Sequence, residues 1–81
     1  QLSPNPELYN EVASALLENQ KERVNIDEVR ESAAWSKRAL QLLPEFAPAY
    51  CNLGAAFILL KQNENAAECF RKACAIDPTL D

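Results

Sequence analysis

Three thiols, Cys51, Cys69 and Cys74, are the side chains best suited to nucleophilic, redox or metal chemistry. The sequence contains no histidine, so a thiol lacks its usual base and a zinc site lacks its usual nitrogen ligands. Cys69 and Cys74 are five residues apart, which on a helix turns them about 140° from each other. We therefore interpret the cysteines as small apolar residues that are buried in the core. Free thiols of this kind also indicate a reducing compartment, the cytoplasm. A regulatory or metal-binding thiol is the alternative.

Carboxylates at close spacing, such as Glu28 and Glu31, could form an acid–base pair if a pocket held them. The simpler interpretation is that they lie on the solvated face of a helix. Because Gly54 is the single glycine, the chain has no glycine-rich phosphate loop. The sequence therefore predicts that the protein is not an enzyme and has no catalytic residue, metal or cofactor.

The charge and hydropathy of the chain narrow the class of partner. It carries 12 acidic and 8 basic residues, for a net charge of −4, which disfavours nucleic acid and anionic membranes as partners. Its longest apolar run, residues 55–60, is far shorter than the 18 or more residues of a membrane span. The chain begins at Gln1 without a methionine, and we expect it to be a segment of a longer protein.

Apolar spacing and capping residues predict four helices and no strand. Ser3, Asn5 and Pro6 favour a first helix from Pro6 to about Glu22, and Asn25 favours a second that Pro44 ends after Leu43. The third starts near Pro48. A polar turn, Lys61 to Asn65, separates it from the fourth, which ends at Asp77 and Pro78.

The four helices contain an internal repeat. An offset of 34 residues superposes Lys37–Phe46 on Arg71–Leu80, whereas the front halves need an offset of about 41, which places Tyr9 on Tyr50 and Ala13 on Gly54. An offset of 42 is an alternative alignment of the front halves. The first unit is therefore about seven residues longer, which one extra turn on each of its helices would absorb.

The second unit resembles a tetratricopeptide repeat. The residues that carry the family pattern, at the family's spacing, are Tyr50, Leu53, Gly54, Phe57, Ala66, Phe70, Ala73 and Pro78. The first unit, about 6–46, matches weakly: Ser32 stands for Ala66, Ser36 stands for Phe70, and Trp35 aligns with Cys69. Lys61 occupies the place of the usual turn glycine. The resemblance implies an all-α fold, in which antiparallel helix hairpins stack as a short right-handed α-solenoid over residues 1–81, with repeats about 6–46 and 47–80.

The resemblance also explains Gly54, because a lone glycine in an apolar helix answers a packing need. In the family this position lies where the two helices of a hairpin approach most closely. Ala66 and Ala73 are small for the same reason, and the rings of Tyr50, Phe57 and Phe70 fill the surrounding space.

The function implied by the resemblance is binding of a protein or peptide on the concave surface, which the first helix of each unit lines. The candidate residues are Asn10, Glu11, Ser14 and Leu17 in the first unit and Cys51, Asn52, Ala55, Ile58 and Leu59 in the second. We expect Ile58 and Leu59 to take apolar side chains of a partner and Asn52 to hydrogen-bond its backbone. The family's carboxylate clamp is not supported, because basic residues are missing beside Asn52.

The alternative function is architectural. In that interpretation a neighbouring helix, from further along the chain or from a second copy, covers the same residues, and the segment serves for assembly or self-association. No nucleic acid or membrane partner is expected in either case.

Overall fold

A computed structural model describes residues 5–80 of the chain. The helices are α1, Pro6–Glu18; α2, Ile26–Leu42; α3, Ala47–Leu59; and α4, Asn63–Ile76, followed by a short 3₁₀ turn, Pro78–Leu80. No strand occurs in this part of the chain, so the all-α prediction is confirmed. Ser3, predicted above to help cap the first helix, lies outside the described residues.

The helices form two hairpins that pack side by side. α1 packs on α2 and α3 packs on α4, while α2 and α3 join the two hairpins. α1 also contacts α3, whereas α2 and α4 have no Cα atoms within 8 Å of each other. α1 and α3 therefore lie on the inner side of the stack and α2 and α4 on the outer side. The stack of helix hairpins is the one predicted.

Local signals set the starts of the first two helices. The side chain of Asn5 accepts hydrogen bonds from the backbone N–H groups of Glu7 and Leu8, at 2.9 and 3.2 Å, and Pro6 is the first helical residue. Asn25 accepts from the N–H of Glu28 at 3.2 Å. Both side chains supply acceptors to donors that have no partner within the helix, as the sequence predicts.

The end of α1 departs from the prediction, because the helix stops at Glu18 and not near Glu22. α1 and α3 have 13 residues each, so they superpose at an offset of 41. The extra length of the first hairpin lies in its linker, residues 19–25 against residues 60–62, and in α2, which has 17 residues against 14 in α4. The predicted extra turn on each helix is therefore wrong for α1.

The side chain of Gln20 explains this longer linker. Although polar, Gln20 is almost fully buried. Its Nε2 donates to the carbonyl oxygen of Leu16 and to Oε1 of Glu28, both at 2.9 Å, and its Oε1 accepts from the N–H of Asn25 at 2.6 Å. One amide thus ties the end of α1 to the start of α2 and replaces the helical hydrogen bonds that a longer α1 would make.

The turn between α3 and α4 keeps the shape of a glycine turn without a glycine. Lys61 has a φ of 63°, in the left-handed region, and its N–H donates to the carbonyl of Ile58 at 3.0 Å. The N–H of Gln62 donates to the carbonyl of Phe57 at 2.8 Å. These two bonds form a Schellman motif, which ordinarily places glycine where Lys61 stands.

Gly54 lies against the ring of Phe70. A Cβ atom built on Gly54 would stand 2.8 to 3.0 Å from three ring carbons of Phe70, closer than carbon atoms normally pack. The prediction that a side chain at Gly54 would prevent a close approach within the hairpin is therefore confirmed, and Phe70 supplies the atoms that approach.

The first hairpin uses different residues at the equivalent places. Ala13 replaces Gly54 and Ser36 replaces Phe70, and both are fully buried. The large ring has moved to Trp35, whose centroid lies 5.3 Å from that of Tyr9. The hydroxyl of Ser32 donates to the carbonyl of Ala13 at 2.9 Å, which fastens α2 to α1.

We expect Gly54→Leu to lower the free energy of unfolding by about 1–3 kcal/mol, because the added side chain overlaps the Phe70 ring. Urea denaturation followed by circular dichroism measures the change. Ala67→Leu, at an exposed position of α4, is the matched control and should stay within about 0.5 kcal/mol of wild type. A Gly54→Leu midpoint equal to that of wild type would show that the ring does not constrain α3.

We expect Lys61→Gly to raise the free energy of unfolding by about 0.5–1 kcal/mol, because glycine adopts the left-handed conformation without steric cost. Lys21→Gly is the matched control, since residues 19–25 include no positive φ and a glycine there adds only flexibility to the unfolded chain. The prediction fails if both variants lose stability in the same urea experiment.

Candidate functional site

Three of the residues predicted to bind a partner form one hydrogen-bonded cluster between α1 and α3. Nδ2 of Asn52 lies 2.7 Å from Oδ1 of Asn10, 3.2 Å from the carbonyl oxygen of Asn10 and 2.9 Å from Oγ of Ser14. All three side chains are half-buried. The two N–H groups of the Asn52 amide are therefore shared among acceptors within the chain, and they set the register of α1 against α3.

Leu17 and Leu59 lie close to the core. Both are half-buried and pack against a buried apolar cluster contributed by α2, α3 and α4. The members of that cluster are Val29, Ala33, Leu53, Ala56 and Cys69. Leu17 and Leu59 therefore help to join the two hairpins, and each presents only part of its side chain to solvent.

Of the four remaining predicted residues, Glu11 of α1 is exposed. The other three, Cys51, Ala55 and Ile58, are spaced by four and three along α3 and share one side of the helix. We call this side the open α3 face. Ile58 is 50% exposed, the largest fraction among the exposed large hydrophobic side chains of the described residues. Cys51 and Ala55 are half-buried. At an offset of 41 these residues correspond to Asn10 and Ser14, which hydrogen-bond to Asn52 of α3, and to Leu17, which packs against the buried cluster.

The thiol of Cys51 adds an apolar group to the open α3 face. Burial raises the pKa of this thiol, and Cys74 and Asp77 nearby raise it further. Burial likewise raises the pKa of Cys69, which lies in the core. Both thiols therefore stay protonated at neutral pH and are poor nucleophiles. The prediction that the cysteines are buried is confirmed for Cys69, whereas Cys51 and Cys74 are half-buried.

Contacts between cations and rings are a feature that the sequence analysis missed. Nζ of Lys72 lies 5.8 Å from the centroid of Tyr50, and the guanidinium of Arg38, 34 residues earlier, lies 4.8 Å from that of Trp35. Lys37 approaches the ring of Phe57 at 5.9 Å. The offset of 34 places Arg38 on Lys72 but Trp35 on Cys69, so the repeat relates the two cations and not the rings that they contact. In each contact a basic side chain lies against the face of an aromatic ring, which is a favourable cation–π arrangement.

No three His, Cys, Asp or Glu side chains between residues 5 and 80 come together as a metal site would require. Within the same range, every helix is too short or too polar to cross a bilayer. What the inner side of the stack does present is a fixed polar cluster, the side chains of Asn10, Ser14 and Asn52, beside the apolar open α3 face.

Comparison with known families agrees with the pattern in the second hairpin. Residues 47–80, which include α3, α4 and the 3₁₀ turn, match the model of the tetratricopeptide repeat. These residues form a tetratricopeptide repeat. Assignment of residues 6–46 as a divergent repeat stays a prediction. No curated protein and no solved structure matches the chain.

We expect Asn52→Ala to lower the free energy of unfolding by about 1–2 kcal/mol, because Asn10 and Ser14 lose their donor in a partly buried place. Asn65→Ala is the matched control: its amide donates to Oε1 of Gln62 at 2.9 Å on the exposed surface, so its loss should cost less than about 0.5 kcal/mol. Urea denaturation measures both variants. Equal losses would mean that the cluster does not fix α1 against α3.

Proposed function

We propose, from the tetratricopeptide repeat at residues 47–80, that this chain binds a peptide or a helix of a partner protein on the inner side formed by α1 and α3. The repeat indicates a protein–protein interaction module, and such repeats are typically not catalytic. The observation that carries the proposal is the half-exposed side chain of Ile58 on the open α3 face. The predicted cytoplasmic location and lack of a cofactor are part of the same proposal.

The open α3 face is the best support for an apolar contact. A partner that covers Ile58 removes the exposed half of a branched apolar side chain from water, which is worth about half of the roughly 1.5–3 kcal/mol for burying such a side chain fully. Ala55 and the protonated thiol of Cys51 extend the apolar strip along the same side of the helix. Their small size leaves space for a partner's side chains between Ile58 and the start of α3.

The polar cluster has a structural part in this proposal beside the expected one. Nδ2 of Asn52 donates to Asn10 and Ser14, and a hydrogen bond between Asn52 and a partner's backbone stays a prediction. Asn10, Ser14 and Asn52 hold α1 and α3 at a fixed spacing, with Leu17 and Leu59 packed beneath. The partner then meets a surface that is ordered before binding, which lowers the entropic cost of association.

A specific observation also favours the architectural alternative. In the residues equivalent to the open α3 face, Asn10 and Ser14 hydrogen-bond to α3 inside the stack and Leu17 packs on the buried cluster. A further helix packed on Cys51, Ala55 and Ile58 would repeat that arrangement. In this case the open α3 face serves assembly and not recognition of a separate partner.

A capture experiment with Ile58→Asp tests the proposal. The immobilised wild-type chain, Ile58→Asp and Val24→Asp are compared by mass spectrometry of the proteins retained from cell extract. Val24 is the matched control, because it is 45% exposed but lies in the 19–25 linker. We expect a loss of at least about tenfold in retained partner with Ile58→Asp, since a buried aspartate costs more than 1.4 kcal/mol.

Circular dichroism and sedimentation of the same variants separate the outcomes. Retention that is equal for all three chains contradicts binding at the open α3 face. A wild-type chain that self-associates, and an Ile58→Asp chain that is folded and monomeric, would favour the architectural alternative.

A further inference from the structure

The side of α1 that faces away from α3 has the same apolar pattern as the side of α3 on which α2 packs. At an offset of 41, Leu8, Val12 and Ala15 correspond to Ala49, Leu53 and Ala56, which are 0, 6 and 0% exposed. In α1 the equivalent residues are also apolar, but no helix buries them fully: Leu8 is 41% exposed, Ala15 is exposed and Val12 is half-buried. The first hairpin therefore carries an apolar face of the kind that a helix covers in the second hairpin.

This face continues onto α2. Trp35, half-buried against Tyr9, and Leu42, 45% exposed, lie on the side of α2 that faces away from α3. A shallow groove between the two helices is lined by Tyr9, Arg38, Gln41 and Leu42. We call this surface, formed by Leu8, Val12, Ala15 and Leu16 of α1 with Trp35 and Leu42 of α2, the outer α1 face.

The packing of α2 on α3 shows which shape fits such a face. α2 covers α3 with an apolar stripe of Val29, Ala33 and Leu40, while Nζ of Lys37 lies over the ring of Phe57. The apolar residues of this stripe are spaced at one side of a single helix, and one of them is small. The equivalent occupant of the outer α1 face is therefore one amphipathic helix with a small and branched apolar stripe.

Charge distinguishes this occupant from α2. Glu11 occupies the place in α1 that Asn52 occupies in α3, and it is exposed, as are Glu7 and Glu18 on the same helix. The α1 edge of the face is thus acidic. At the α2 edge the guanidinium of Arg38 lies over Trp35 at 4.8 Å. An approaching helix gains by placing lysine or arginine beside Glu11.

A second copy of the chain is a poor occupant. In α4 the places of Val29, Ala33 and Leu40 are taken by Asn63, Ala67 and Cys74, which offer little apolar area. Two outer α1 faces packed on each other would bring two Glu11 side chains together, and like charges oppose contact. Neither end of the stack therefore complements this face.

We infer that the outer α1 face is a second docking surface, and that its occupant is an amphipathic α-helix of a partner protein with basic side chains beside Glu11. This surface lies on the opposite side of the chain from the open α3 face, so the inference goes beyond the proposed function. Either surface can fail its own test while the other passes.

Two synthetic helices provide the probes. Both have the sequence of α2, residues 26–42, with Trp35→Phe, so that Trp35 of the intact chain is the single tryptophan in the mixture. Ser32 and Ser36 lie on the side of α2 that faces α1, and in a docked peptide this side lies toward Glu11. Lysine at both places gives the basic peptide, and glutamate at both gives the acidic peptide.

The basic peptide should change the emission of Trp35 in a saturable manner and bind at least about fivefold more tightly than the acidic peptide. Glu11→Lys in the chain should reverse that order. Leu8→Asp, in a chain that circular dichroism shows to be folded, should weaken both peptides. Ile58→Asp, on the open α3 face, is the control and should bind as wild type does.

Several results would overturn the inference. The inference is wrong if neither peptide alters Trp35 emission up to millimolar concentration, if both peptides bind equally, or if Leu8→Asp binds them as tightly as wild type does. Sedimentation of the chain alone tests whether a second copy is the occupant. If the chain forms dimers and its Trp35 emission changes as they form, a second copy occupies the outer α1 face and the inference is wrong.

Discussion

The close contact between Gly54 and the ring of Phe70 is the constraint on which the second hairpin depends. The ring lies where a Cβ atom would stand, so α3 and α4 are held together at a distance that no other residue type at position 54 permits without a shift. This contact fixes the rotation of α3 about its axis. With that rotation set, Leu53 and Ala56 face the core, Asn52 faces α1, and Cys51, Ala55 and Ile58 remain on the open side. The apolar strip is a consequence of the packing beneath it.

Much of this arrangement could be predicted from periodicity and local chemistry. Caps at Asn5 and Asn25 and the ends of α3 and α4 depend on neighbours a few residues away, and the sequence displays these directly. The match of residues 47–80 to a tetratricopeptide repeat rests on equally local spacing. The first hairpin shows the limit of a fixed pattern: Ala13 and Ser36 are buried at the places of Gly54 and Phe70, and the large ring belongs to Trp35.

What the sequence does not reveal are the hydrogen bonds between distant side chains. Gln20 ends α1 early because its amide bonds Asn25 and Glu28, and no local signal announces that role. Asn52 bonds Asn10 across 42 residues, and its family position predicts a contact with a partner but does not reveal this bond within the chain. Lys61 adopts a left-handed φ because the Schellman bonds of Ile58 and Phe57 demand it, whatever its own preference. Periodicity identifies the face of a helix but not which neighbour covers it.

The polar cluster between α1 and α3 also explains why the two ends of the stack differ from its middle. An amide that donates to Asn10 and Ser14 is satisfied in one register, and a shift of α3 by a turn would leave it half-buried without those acceptors. At the open α3 face the matching places hold Cys51 and Ala55, and at the outer α1 face Glu11 stands where Asn52 would be. Neither end therefore repeats the pairing that joins the hairpins. A molecule that docks at either end must bring its own complement: apolar side chains for the first, and apolar side chains with a cation for the second.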